Sequence, residues 1–466
     1  MALTQIPPVM IDGEMGLEWE SSIKTSDFTA VAGIGYFINT TSGDITVTLP
    51  SSPSVGDSVG IVDYAGTAST NSILLTSSNN IQGDTGDRQI NYTRGGVRIS
   101  YSNATQGWLA TGATNSNTNT LPLPPNNLQY FNPFTWQGNG QVRSITGVGF
   151  APDMVWLKSR NQPNYNPKIM DSIRGNNGGS VMENLYTSLI NVQANDNGFT
   201  SLDPDGFSLN GTGDGNQANE EYIGWCFKGG GSSNIYNIDD VGYASASAAG
   251  LNTGTIIPSG ASVNTSRGFS MITYTGVYNA TDTIPHGLGK VPTFVIIKNY
   301  TGGFGQAWAV YNSANGATKI GYLNYTNAFT ANASYWNNTT PTNGLVTIGQ
   351  AAEVSWSGQD FIMYSWADIA GLQKVGYYNS TYPTPHTENV GFQPRFVIIK
   401  SESHARNWVM YDSGRGSDYQ LYANLPNSEY NSGTQFQFTS TGFTVQGGST
   451  DLDGGSGYTY IYLAIA

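Results

Sequence analysis

The stretch GFQPRFVIIK at 391–400 has two near copies upstream, GFAPDMVWLK at 149–158 and KVPTFVIIK at 290–298. In each, a proline stands six residues before a lysine: Pro152 and Lys158, Pro292 and Lys298, Pro394 and Lys400. The residues between them are almost continuously apolar, β-branched or aromatic. That is the pattern of a strand buried on both faces rather than one. The proline cannot donate to a ladder and marks the strand's start. The lysine is expected to return the chain to solvent.

Further landmarks follow each copy in the same order. A short run comes first: IMDSIRG (169–175), WAVYNSANG (308–316) and WVMYDSGRG (408–416). The outer copies then carry Leu185-Tyr186 and Leu421-Tyr422. Next come DGFSLNG (205–211), NGLVTIG (343–349) and TGFTVQG (441–447), and an aromatic strand closes each copy: YIGWCF (222–227), FIMYSW (361–366) and YIYLAI (460–465). From the lysine to the first aromatic of that last strand is 64, 63 and 60 residues. Such order and spacing define an internal repeat of domain size, not a solenoid rung. The closing strand is expected to pair with the inner strand.

The fold class expected is all-β: a small N-terminal β domain followed by three repeated antiparallel β-sandwich or jelly-roll-like modules. Residues 1–20 read as an extended attachment arm and 21–114 as the N-terminal domain, with strands at 36–40, 44–50, 58–65, 72–77, 96–102 and 107–112. Residues 115–128 carry three prolines and read as a linker. The modules occupy 129–230, 268–370 and 374–466. Residues 231–267 form a long connection, which in a compact assembly is functional or packed on a neighbour.

Only 11% of the 466 residues are charged, and the net charge is −13. This balance argues against nucleic acid as a partner and against docking on an anionic membrane, since both need clustered Lys and Arg. No run reaches the ~18 apolar residues of a membrane span. The opening MALTQIPPVMIDGEM has neither the basic start nor the apolar core of a signal peptide, so a protein without a secretory leader is expected. The single cysteine, Cys226, lies in an apolar run and reads as an inert buried thiol.

Candidate chemistry is sparse. His286, His386 and His404 are scattered, and the first two read as equivalent loop positions. No G-x-S-x-G, H-E-x-x-H or phosphate-binding loop occurs. Asp203 with Asp205, and Asp451 with Asp453, could offer hard oxygen ligands to Ca²⁺, although an Asx turn between strands is the favoured reading. Glu220 and Glu221 are adjacent on a strand and point to opposite faces, which does not suit a glycosidase pair. Asp171 with Arg174, and Asp412 with Arg415, are either a ligand clamp or a structural ion pair. The second copy lacks both charges. Trp308, Trp408, Trp336 and Tyr335 could stack sugars, or Trp308 and Trp408 could open core strands.

With the repeats laid out, the chain resembles tail-fibre-like structural proteins of tailed phages, marine and cyanobacterial ones especially. MALTQI is similar to their N-terminal arm, and residues 26–64 to a small β domain near the start of such fibres. Gly149 to Lys158, Asp171 to Gly175 and Tyr222 to Gly230 resemble the phage pattern GF-x-P-D-x-V-W-x-K, D-S-x-R-G and Y-x-x-W-x-x-K-G-G. The resemblance implies a non-enzymatic virion component, made in the host cytoplasm. It implies other virion proteins as partners, a homotrimer, and a host surface glycan or protein as target. Capsid decoration, or a tail scaffold without receptor contact, is the main alternative; a glycan depolymerase is the third.

Overall fold

The computed structural model describes residues 17–91, 93–114, 130–175, 181–195, 198–211, 214–302, 305–455 and 457–466. Most of the expected arm and the whole linker lie outside them. The chain divides into two compact units, Met1–Asn126 and Asn127–Ala466. In both, nearly all the regular structure among the described residues is strand. Among the described residues the α-helix is a single turn, Ala333–Trp336, capped by the Asn332 side chain.

In the first unit successive strands alternate between two sheets and pair in parallel with the strand two steps on. Glu18–Trp19, Ile34–Ile38 and Ser58–Asp63 stack in one sheet; Phe28–Thr29, Ile45–Thr48 and Ile73–Thr76 stack in the other. This is a short β-solenoid. Antiparallel strands finish both sheets: Gly96–Asn103 and Gly107–Thr114 on the first, Arg88–Ile90 on the second. Alternate residues point inward, so Ile38, Val47, Ile61, Ile73 and Ile99 fill a core with no exposure.

The second unit repeats one antiparallel sheet three times. Each repeat has an opening strand (Phe131–Gln137, Phe269–Thr275, Gln373–Asn379) and a closing strand (Glu221–Phe227, Asp360–Ala367, Thr459–Ile465). The inner strand of the quoted motif (Met154–Ser159, Pro292–Asn299, Phe396–Ser401) lies against the closing strand on one side. On its other side lies a hairpin strand (Lys168–Asp171, Ala309–Asn312, Trp408–Asp412). The register matches at the strand ends: Met154 faces Phe227, Phe294 faces Trp366 and Phe396 faces Ile465.

The repeats do not form three separate sandwich or jelly-roll modules. One face of each large sheet packs on a small outer sheet of its own repeat. These outer sheets are Arg143–Thr146 with Gly206–Leu209 and Phe199–Asp203; Asp282–Pro285 with Leu345–Ile348; and His386–Asn389 with Gly442–Val445 and Phe436–Thr439. The other face enters one core common to all three. Met154 and Trp156, Phe294 and Ile296, and Phe396 and Ile398 meet in that shared cluster, while the alternating Val155, Val295 and Val397 face outward to local clusters. A self-contained sandwich would need only one buried face per sheet. The continuous apolar inner strand serves two cores at once.

The glycine of the Gly-Phe pair has a steric cause. A Cβ at Gly206 would sit 2.0 Å from the Ile145 carbonyl oxygen, and one at Gly442 1.9 Å from that of Glu388. The expected connection 231–267 is largely structure. Tyr236–Ile238, Val241–Tyr243 and Gly260–Asn264 extend the second repeat's sheet to nine strands, with Ala261 and Val263 in its core.

Candidate functional site

The lysines that close the quoted motif do not return the chain to solvent. Lys158, Lys298 and Lys400 are fully buried. Each ammonium donates to a carbonyl oxygen of its own repeat and to one of a neighbouring repeat. Lys158 reaches Tyr165 (2.7 Å) and Pro426 of the third repeat; Lys298 reaches Gln306 (2.6 Å) and Ile190 of the first (2.8 Å); Lys400 reaches Ser401 (2.8 Å) and Thr326 of the second (3.1 Å). The first repeat thus holds the third, the second the first, and the third the second, so the three bonds close a ring. Burial lowers each ammonium from its usual range to about 7.

The tryptophans follow the same cycle. Trp308 Nε1 donates to Tyr186 and Leu189 of the first repeat, both at 3.1 Å, and Trp408 Nε1 donates to Tyr322 of the second at 2.9 Å. With at most 1% exposure, neither indole offers a face to a sugar. Tyr335 and Trp336 are buried as well.

Asp171 and Asp412 complete the junctions. Arg174 Nε donates to Asp171 and Arg415 Nε to Asp412, each at 2.7 Å, and the arginine backbone N–H bonds the other carboxylate oxygen at 2.9 Å. All four side chains have zero exposure. A donor from another repeat reaches each acid: Tyr364 Oη to Asp171 at 2.7 Å, and Trp225 Nε1 to Asp412 at 3.0 Å. Tyr364 and Trp225 hold the same place in their closing strands, where the third repeat has Leu463. The acid's counterpart in the second repeat is Asn312, whose amide nitrogen has no partner among the described residues. Acid and donor are therefore missing together from the third junction.

The acidic turns are tied internally. Asp205 accepts from the Gly147 and Gly149 N–H groups (2.9 and 2.7 Å), and Asp203 from the Ser201 and Ser208 hydroxyls (2.7 and 2.6 Å). Asp451 accepts from the Asn407 N–H at 3.0 Å, and Asp453 from Ser380 and from Tyr382. Among the described residues no three candidate metal ligands gather. His286 and His386 are not equivalent: His286 follows the strand Asp282–Pro285, buried and bonded to Leu288, whereas His386 opens its strand beside Glu388. Cys226 is buried, and burial pushes its thiol up.

An open cleft lies where the first and second repeats meet, a place the sequence did not single out. It encloses about 660 Å³, counting its mouth, and is lined by Ile190 of the first repeat and by Gln306, Tyr322, Tyr325, Asn327 and Glu353 of the second. Tyr325 is 42% exposed and stands edge-on to Tyr322 at 5.8 Å. The Tyr322 and Tyr335 hydroxyls bond each other at 2.7 Å, and burial raises both phenols, so they stay protonated. An aromatic face beside amide, hydroxyl and carboxylate groups suits a neutral polyol. A second exposed aromatic pair, Tyr278 and Trp356, stands 5.5 Å apart.

The model of a family described as a domain of unknown function, DUF7483, matches residues 126–466. No curated protein matches the chain.

Proposed function

This chain belongs to the DUF7483 family, and for it we propose a non-enzymatic role as a tail-fibre-type component of a tailed-phage virion. In this reading residues 1–114 hold it to other virion proteins, and the second unit meets a host-surface glycan. The motif-level resemblance motivates the reading. The observation that carries it is the division of labour in the second unit: the repeated charged and aromatic residues join repeats to one another, while Tyr325 of the cleft, whose counterparts are Leu189 and Leu425, faces outward. A rigid core with variable outer loops suits adhesion.

Each second unit already buries the large sheets of its own repeats, so the homotrimer belonging to this reading would form through other surfaces. Light scattering at three times the chain mass is expected. Capsid decoration is the second reading. It is favoured by the lack, among the described residues, of any long helical or triple-stranded shaft.

Cryo-electron microscopy of intact particles separates the two. A few symmetric copies projecting from the tail are expected; a regular array over the capsid would replace adhesion with decoration. On a glycan array, Tyr325→Ala is expected to weaken the strongest signal at least tenfold, about 1.4 kcal/mol. Hydrolysis of the bound glycan would make the chain a depolymerase.

A further inference from the structure

The three opening strands begin at one pole of the shared core, and a small open pocket lies there. All three repeats line it: Tyr130 and Phe131 from the first, Arg267 and Phe269 from the second, Leu372 and Ile465 from the third. Arg267 is 6% exposed, and its guanidinium lies 3.6 Å from the Tyr130 ring centroid. Its Nε and Nη2 are buried without a hydrogen-bond partner among the described residues. Among the described residues no carboxylate forms an ion pair with it, although arginine presents a fork of donors matched to a planar anion.

The neighbouring charges do not answer this one. Lys228 also lines the pocket, but it is tied to Asp153 at 3.0 Å and Asp240 at 2.5 Å. The nearby Gln373 amide donates to the Gly268 carbonyl at 2.9 Å. The chain enters this pole at Tyr130, yet residues 115–129 contain no Asp or Glu. A buried guanidinium without a counter-charge is unfavourable.

We propose that this pocket binds a small organic carboxylate, its two oxygens on Arg267 Nε and Nη2 and its short apolar tail against Phe131, Phe269 and Ile465. Carboxylate is favoured over phosphate because the guanidinium supplies a single planar fork and the rest of the lining is mostly apolar. The site requires three repeats assembled around one core.

Thermal unfolding of the full chain with butyrate, inorganic phosphate or chloride at equal ionic strength tests this. Butyrate is expected to raise the midpoint by several degrees in a saturable manner, with phosphate and chloride giving little. Calorimetric titration should then show a single butyrate site. Arg267→Met is expected to weaken butyrate at least tenfold. Should that variant not fold, Arg267→Lys keeps the charge without the fork and is expected to weaken it as well. No butyrate shift, an equal shift from chloride or phosphate, or unchanged affinity in a folded Arg267 variant would each overturn the proposal.

Discussion

At the scale of single residues, the third junction tests how charge is shared between repeats. Asp171 has three donors, Arg174 Nε, Arg174 N–H and Tyr364 Oη. Asn312 stands in the equivalent place with its Oδ1 bonded to the Ala314 N–H at 2.8 Å. Asn312→Asp would bury a carboxylate with neither arginine nor hydroxyl to meet it. A loss of about 3 kcal/mol in denaturant unfolding is expected. Tyr364→Phe removes one donor from an acid that keeps its arginine, so about 1–2 kcal/mol is expected. Equal losses from the two substitutions would show that the arginine pairing does not set the junction's tolerance for charge.

At the scale of elements, each inner strand carries a buried lysine one residue before its end, and this gives stability a pH dependence. In the unfolded chain a lysine keeps its proton to about pH 10.4. In the folded protein Lys158, Lys298 and Lys400 release theirs near 7. Between those values the unfolded chain binds more protons, so stability rises with pH. Below 7 both states are protonated and the lysines add no slope. His286, lowered by burial to about 4, makes stability rise with pH between there and its unfolded value of about 6.5. Above about 10 the sign reverses. There tyrosines ionise in the unfolded chain, whereas burial holds Tyr300 and Tyr311 up to about 12. Guanidinium midpoints measured against pH are expected to climb from 7 to a maximum near 9–10, by at least about 1 kcal/mol per lysine. A flat profile across pH 7–9 would mean that the ammoniums remain charged in their carbonyl cages.

For the whole molecule, the shared core makes the three repeats one folding unit. The Phe131 ring lies 5.7 Å from that of Phe396 and the Phe227 ring 5.4 Å from that of Phe269, so aromatic contacts cross between repeats. Fully burying each such side chain contributes about 1.5–3 kcal/mol, which an isolated repeat would forfeit along one entire sheet face. The fragment 127–466 is expected to unfold in a single calorimetric transition. The fragment 127–370, lacking the third repeat, is expected to be aggregated or molten. Three separable transitions would return the molecule to beads on a string.

What the sequence determined by itself was the local physics. The alternation-free inner strand announced burial on both faces, the spacing announced threefold repetition, and the pairing of inner with closing strand followed. Six of the first unit's strands were also legible from apolar runs between turns, although their parallel, solenoidal pairing was not. Only the tertiary structure decided what the second face is buried against. The partners of Lys158, Lys298 and Lys400 are backbone carbonyls, which every residue carries and no side-chain pattern betrays. The donors that reach Asp171 and Asp412 from another repeat lie 193 and 187 residues away. Propensity and periodicity act over one element. The closure of three sheets on one core is a property of contacts between distant segments, and so are the cleft at Tyr325 and the pocket at Arg267.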